Sequence, residues 1–279
     1  MLCLQRLLCA TLLVGLSQIL CAQSAEEPAA LPLPAHVVVV MEENHSYSEI
    51  IGSSQAPYIN TLASEGALFT NSYGVTHPSE PNYLAIFSGS TQGVTSDACP
   101  LTFKASNLGN ELIVAHKTFT GYSEGLPSPG SKVCSSGEYA RKHAPWTDFT
   151  DLASTVNQPF SAFPTNHANL PKVSFVIPNL LDDMHDGTIQ QGDAWLNQHL
   201  SGYVNWAKTN NSLLIVTWDE DDGSAGNHIA TIFVGPMVKP GKYSEKISHY
   251  NVLRTIEAIY GVPYLGKAAS VTTITDIWQ

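Results

Sequence analysis

The chain has 279 residues, 43% hydrophobic and only 13% charged, with 13 Lys and Arg against 24 Asp and Glu and a formal net charge of −11. That length suits one sizeable α/β domain and leaves little for a second. The sparse, scattered cations argue against a nucleic-acid partner, since no basic run is present to neutralise a phosphate backbone.

In chain order, Met1–Leu20 carries one early cation, Arg6, then an apolar stretch through Leu7–Leu20 followed by Cys-Ala-Gln-Ser-Ala. This predicts a signal peptide over 1–22, cleaved after Ala22 or Ala25, and a secreted or periplasmic protein with no stable membrane span. Gln18-Ile19-Leu20 lacks the small residue usually found before a lipidated cysteine at Cys21. Residues 23–35, with Pro28, Pro32 and Pro34, read as a linker into one domain over 36–279.

Val37-Val38-Val39-Val40-Met41 reads as a strand buried on both faces, and it ends abruptly in Glu42-Glu43-Asn44-His45. In open α/β sheets ligands bind beyond the carboxyl ends of strands, so those polar residues read either as holders of a metal or phosphate or as a plain polar loop after the strand. Ala56–Gly66 is a short helix stopped by glycine. A strand is expected over Ala67–Tyr73, and a helix with Pro81 in its first turn over Tyr83–Ser88. Residues 90–107 are irregular; Asn107–His116 is a helix and Thr118–Tyr122 a strand. The Gly-, Ser-, Pro- and aromatic-rich 123–150 reads as a long excursion of the kind that often binds or covers a ligand. Its aromatics, with Tyr122, Tyr139, Trp146 and Phe149 foremost, are read as local packing first and as a headgroup platform second. Further strands fall at Lys172–Ile177, Ser212–Trp218 and Ile229–Gly235, and helices at Gly192–Ala207 and Asn251–Tyr260. The alternation predicts an α/β fold, a mostly parallel central sheet with helices on both faces.

Cys3, Cys9 and Cys21 lie in or at the edge of the signal, which leaves Cys99 and Cys134. In an exported chain these pair most simply as one disulfide, adding ~3 kcal/mol by closing the intervening loop.

The strand ends repeat the polar theme. Thr217-Trp218 runs into Asp219-Glu220-Asp221-Asp222, and Val176-Ile177 leads to Asp182-Asp183-Met184-His185-Asp186. Carboxylates converging at one sheet edge repel unless a cation sits among them. Ser79, in Thr76-His77-Pro78-Ser79-Glu80-Pro81-Asn82, stands just before a helix. A serine there is either an N-cap or a hydroxyl placed where free backbone N–H groups and the helix dipole receive a phosphoryl group.

Glu43-Asn44-His45-Ser46, Ser79-Glu80-Pro81-Asn82 and Thr217-Trp218-Asp219-Glu220, in that order, resemble the phosphoesterase family of acid phosphatases and phospholipases C, within the alkaline-phosphatase-like superfamily. The Ser-x-Pro-Asn stretch also resembles the Thr-x-Pro-Asn nucleophile turn of nucleotide pyrophosphatases in that superfamily. The resemblance implies an alkaline-phosphatase-like fold and a divalent metal held by Glu43, Asn44, Asp219 and Glu220, with Ser79 as a metal-bound nucleophile. His77, His185 and His228 then become candidates to bind phosphoryl oxygens or protonate the leaving group, His228 first and His185 second. Where two-zinc members carry Asp-His after the strand, this chain has Asp219-Glu220. That oxygen-rich set favours one ion, Ca²⁺, Mg²⁺, Mn²⁺ or Zn²⁺.

The expected activity is therefore hydrolysis of phosphomonoesters on small-molecule or lipid headgroup substrates, through a phosphoserine. A phospholipase C-type phosphodiesterase is the alternative, disfavoured by the short length and the lack of an evident C-terminal β domain. A non-catalytic exported metal-binding protein ranks third. Oligomeric state is not legible.

Overall fold

The computed structural model describes residues 31–279; the predicted signal peptide and residues 23–30 of the linker lie outside the described residues. Strand β1 (Val37–Glu42) is buried at every position, as four consecutive β-branched residues lead one to expect. It is followed by a single helical turn, α1 (Tyr47–Ile50), then α2 (Pro57–Glu65), β2 (Ala67–Tyr73) and α3 (Glu80–Ser88). Next come α4 (Leu108–Val114), with Asn107 capping its N-terminus, and β3 (Phe119–Ser123). The long excursion holds a small hairpin, β4 (Ser135–Ser136) with β5 (Tyr139–Ala140), several 3₁₀ turns and β6 (Asn157–Pro159). The chain closes with β7 (Val173–Ile177), α5 (Ile189–Ala207), β8 (Leu213–Trp218), β9 (His228–Val234), β10 (Gly241–Tyr243), β11 (Ile247–Ser248) and α6 (His249–Tyr260).

The main sheet has nine strands in the order β10-β2-β9-β8-β1-β7-β3-β6, with β11 also on β2. Every neighbouring pair is parallel except those made by β9, which is antiparallel to both β2 and β8. The short connection from β8 to β9 is a hairpin-type return and cannot accommodate a crossover helix, which is why this one strand reverses. Parallel neighbours on both sides of β1 register Val37 against Val173 and Leu213.

Alternate residues of β1 feed two cores. Val37, Val39 and Met41 pack with α3 and α6, whereas Val38 and Val40 pack with α2 and α5. The expected doubly covered, mostly parallel sheet is the one observed. Of the aromatics named above, Trp146 and Phe149 pack in the core beneath α3, Tyr122 in the opposite core, and Tyr139 is buried. Cys99 and Cys134 are joined, pinning the excursion to the segment after α3. Among the described residues no helix is long and apolar enough to cross a membrane.

Candidate active site

Because β1, β7 and β8 are parallel neighbours, their carboxyl ends deliver Glu43, Asp183 and Asp219 to one place. Backbone hydrogen bonds fasten them there, from the Glu43 N–H to the Asp183 carbonyl (2.8 Å) and from the Asp219 N–H to the Glu42 carbonyl (3.0 Å). Asn44 leaves the strand in the left-handed region (φ 48°) and donates its N–H to Asp219 Oδ1 at 3.2 Å. Left-handed backbone is tolerated by asparagine at modest cost.

Ser79 stands at the N-terminus of α3, yet its side chain makes no capping bond. Its Oγ lies 3.0 Å from Glu43 Oε2 and 3.1 Å from Glu220 Oε1, with one proton to share between two carboxylates. The capping alternative is thereby set aside. The free helix amides expected for a phosphoryl group are largely engaged: the Glu80 N–H donates to Asp97 Oδ1 at 3.0 Å, and Pro81 has none. The helix still offers its dipole.

The expected ligand set of Glu43, Asn44, Ser79, Asp219 and Glu220 is thus gathered into one cluster. Asn44 Oδ1 and Asp219 Oδ2 are buried and have no hydrogen-bond partner among the described residues. Two carboxylates on one hydroxyl, with buried oxygens of Asn44 and Asp219 left unpartnered on the same strand ends, are the donor chemistry of a hard divalent cation. Burial, then repulsion from Asp219 and Asp183, pushes Glu43 well above the usual carboxylate range. Burial and Glu220 do the same to Asp219. A bound cation reverses both penalties.

Beside this set lies a second group. Ligand atoms of Glu43, His143 and Asp183 fall within 4.8 Å of one another and all three residues are buried. His143 lies between the acids, with Nε2 3.2 Å from Glu43 Oε1 and Nδ1 3.4 Å from Asp183 Oδ2. Tyr83 stacks on its ring at 4.8 Å and donates its hydroxyl to Glu43. Burial, then Lys142 and His185, pulls His143 well below its ordinary value, so the ring stays neutral. Burial raises Asp183 to about 7.

Of the expected histidines, His77 sets Nδ1 2.6 Å from Glu220 Oε2 and Nε2 3.3 Å from Asp221 Oδ1. His185 packs 6.1 Å from the His143 ring, bonds Asp186 through Nδ1 (2.7 Å) and faces Lys142 Nζ at 3.4 Å. His228 is not brought to Ser79. Its Nε2 meets the Thr70 carbonyl at 3.0 Å and its ring lies between Tyr47 and Tyr73.

Sequence reasoning missed His143 and Lys142, hidden in the long excursion, and His249, buried at the start of α6. Lys142 Nζ pairs with Asp97 at 2.9 Å, and that hydrogen bond keeps the amine charged against its burial. His249 Nε2 donates to the Asp219 carbonyl at 2.6 Å, bracing the strand end; burial lowers its pKa to about 4. Gly74 is packed so tightly beneath the same carbonyl that a Cβ there would sit 2.7 Å from it.

The sequence profile of the phosphoesterase family matches residues 53–263. A protein of Mycobacterium tuberculosis named phosphatidylinositol-3-phosphatase is 59% identical over 253 residues, spanning 90% of this chain and 85% of that one. An acid phosphatase of Aspergillus fumigatus is 30% identical over 256 residues, covering 84% of this chain but 57% of the fungal protein. A crystal structure of an alkaline phosphatase superfamily protein from Vibrio parahaemolyticus superposes with a TM-score of 0.58 at 12% identity, covering 89% of this chain and 75% of that one. It speaks for the fold alone.

Proposed function

This chain belongs to the phosphoesterase family and is a hydrolase of phosphate esters; on that premise we propose that it is an exported, metal-dependent phosphomonoesterase that works through a phosphoserine at Ser79. The observation that carries the reading is the Ser79 hydroxyl, buried at a helix start yet bonded to Glu43 and Glu220 instead of capping the helix. Glu43, Asn44, Ser79, Asp219 and Glu220 are the residues that hold the divalent ion, Ca²⁺, Mg²⁺, Mn²⁺ or Zn²⁺. When bound, that ion supplies Lewis-acid charge and favours the alkoxide form of the serine.

Ser79 Oγ attacks phosphorus and gives its proton to the adjacent Glu43 or Glu220 carboxylate. The phosphorus–ester oxygen bond breaks as the Oγ–phosphorus bond forms. Lys142, cationic and lodged between Asp97 and His185, faces the transferring phosphoryl charge. His185 is the residue assigned to protonate the leaving oxygen; His77 orients Glu220, and His228 is assigned a packing role on Thr70. Water then gives a proton to His185 as it attacks the phosphoserine; the phosphorus–Oγ bond breaks, Ser79 Oγ takes its proton back from the carboxylate, and inorganic phosphate leaves.

The relative's name supports phosphoinositide or other phospholipid headgroup monoesters as the substrate class. The Cys99–Cys134 bridge supports residence in an oxidising compartment. Ser79→Ala is expected to abolish hydrolysis of p-nitrophenyl phosphate while leaving the thermal unfolding midpoint of the metal-free protein in place. Retention of full activity in that variant overturns the nucleophile, and turnover of phosphatidylcholine ahead of phosphomonoesters overturns the substrate class.

A further inference from the structure

A cavity of about 700 Å³ opens against the edge of the site, bounded by the end of β2, the loop before β9, the start of α6 and the turn that carries Lys267. In a chain with 24 acidic and 13 basic residues, its wall includes Lys246 and Lys267 and no carboxylate. The ammonium groups lie over aromatic rings, Lys246 at 4.8 Å from the Tyr73 centroid and Lys267 at 5.5 Å from that of Tyr250. The lysine ion pairs among the described residues are elsewhere, at Lys142–Asp97 and Lys208–Glu65. Two unpaired cations facing a concave, acid-free wall form a site for an anion.

The wall adjoins the backbone that carries the proposed metal site. Ser248 and Tyr250 line the cavity, and His249 between them holds the Asp219 carbonyl. Asn227 lines it too, while its side chain accepts the Asp221 N–H at 2.9 Å and donates to the Thr76 carbonyl at 3.0 Å. Tyr73, Gly74 and Val75 lead from the cavity directly into the segment that ends at Ser79. The cavity and Ser79 thus lie at the two ends of one short segment, Tyr73 to Ser79.

Resting on the proposed phosphatase activity, we infer that the Lys246–Lys267 cavity binds a second phosphate group of the substrate, one that is not hydrolysed. The ligand chemistry is a phosphate oxyanion attached to a polyol ring, as in a headgroup that bears both a phosphodiester and a phosphomonoester. Free inorganic phosphate shares the oxyanion and lacks the ring.

The test compares the metal-loaded protein with its Lys246→Gln/Lys267→Gln variant. With soluble short-chain phosphatidylinositol 3-phosphate, the variant's KM is expected to rise about tenfold or more at unchanged kcat, while p-nitrophenyl phosphate kinetics stay the same and show that the fold and site are intact. An unchanged KM for the lipid, with both substrates turned over normally, overturns the assignment. Calorimetry with glycerophosphoinositol, which has the diester and no monoester, reads the cavity without catalysis and is expected to show the same loss. If neither ester is hydrolysed but this binding depends on the lysines, the cavity stands and the catalytic reading falls. Lysine-dependent binding of inorganic phosphate without that of glycerophosphoinositol gives the cavity to free phosphate and overturns the substrate role.

Discussion

Two buried polar clusters begin at adjacent residues and are built on opposite principles. Arg141 heads one of them. Its guanidinium reaches Asp148 at 2.7 Å, Thr147 Oγ1 at 3.0 Å and the carbonyls of Lys132, Leu101 and Thr147, so nearly every donor is used. Lys142 and His143 join the other, where Glu43, Asp183, Asp219 and Glu220 face one another and oxygens of Asn44 and Asp219 are left without partners. A satisfied buried charge rigidifies the fold. A converging set of unsatisfied acceptors stores a penalty that only a ligand relieves. The first cluster fastens the excursion, and the second is poised for chemistry.

The sharpest way to break the contrast is at Asp219. Asp219→Asn is expected to lower kcat/KM for p-nitrophenyl phosphate on the order of 10³-fold or more, since several kcal/mol of metal-derived stabilisation is lost. Titrating divalent metal into chelator-treated protein is expected to raise the unfolding midpoint of the parent and to leave that of the variant unmoved. Equal metal stabilisation in both would remove Asp219 from the ligand set.

The satisfied cluster predicts a different signature. Arg141→Met leaves Asp148 buried without its guanidinium and is expected to cost about 3 kcal/mol in urea unfolding, with or without metal. A loss that disappears on adding metal would show that the two clusters are one.

Glu257 is the intermediate case, and the smallest effect. It is buried in α6, with Oε1 accepting the Leu265 N–H at 3.0 Å and Oε2 unpartnered. Burial pushes its pKa up to about 8. An unfolded glutamate titrates near 4.5, so between that pH and about 8 the folded state binds more protons. Stability is therefore highest at the acid end and falls as pH rises through this window. Glu257→Gln is expected to flatten that slope, by roughly 2 kcal/mol at pH 8, without altering turnover. Changed turnover would mean that a lone orphaned oxygen, with no converging donors, is enough to mark function.

The legibility of the site follows the same physical division. Glu43, Asn44, Asp219 and Glu220 could be read because each abuts an apolar run whose burial is compulsory, and a strand's end is where its next side chains must emerge. Ser79 was readable as a hydroxyl at a helix start, but not which way it turned. His228 looked well placed by its distance in sequence from the acids. The antiparallel pairing of β9 with β2 sets it opposite Tyr73, where it stacks on aromatics instead. His143 and Lys142 carry no periodic signal at all, because a disulfide and an Arg141 network, and not a strand or helix, position them.

By itself the sequence determined the elements whose periodicity demands burial, the order of the strand-end acids and the net shortage of cations. Those are local properties, settled by which side chains water rejects. Only the tertiary structure decided the strand order that brings Glu43, Asp183 and Asp219 together, the turning of Ser79 toward carboxylates, and the gathering of Lys246 and Lys267 on one acid-free wall. Each depends on residues distant in sequence becoming neighbours in space, which no local pattern encodes.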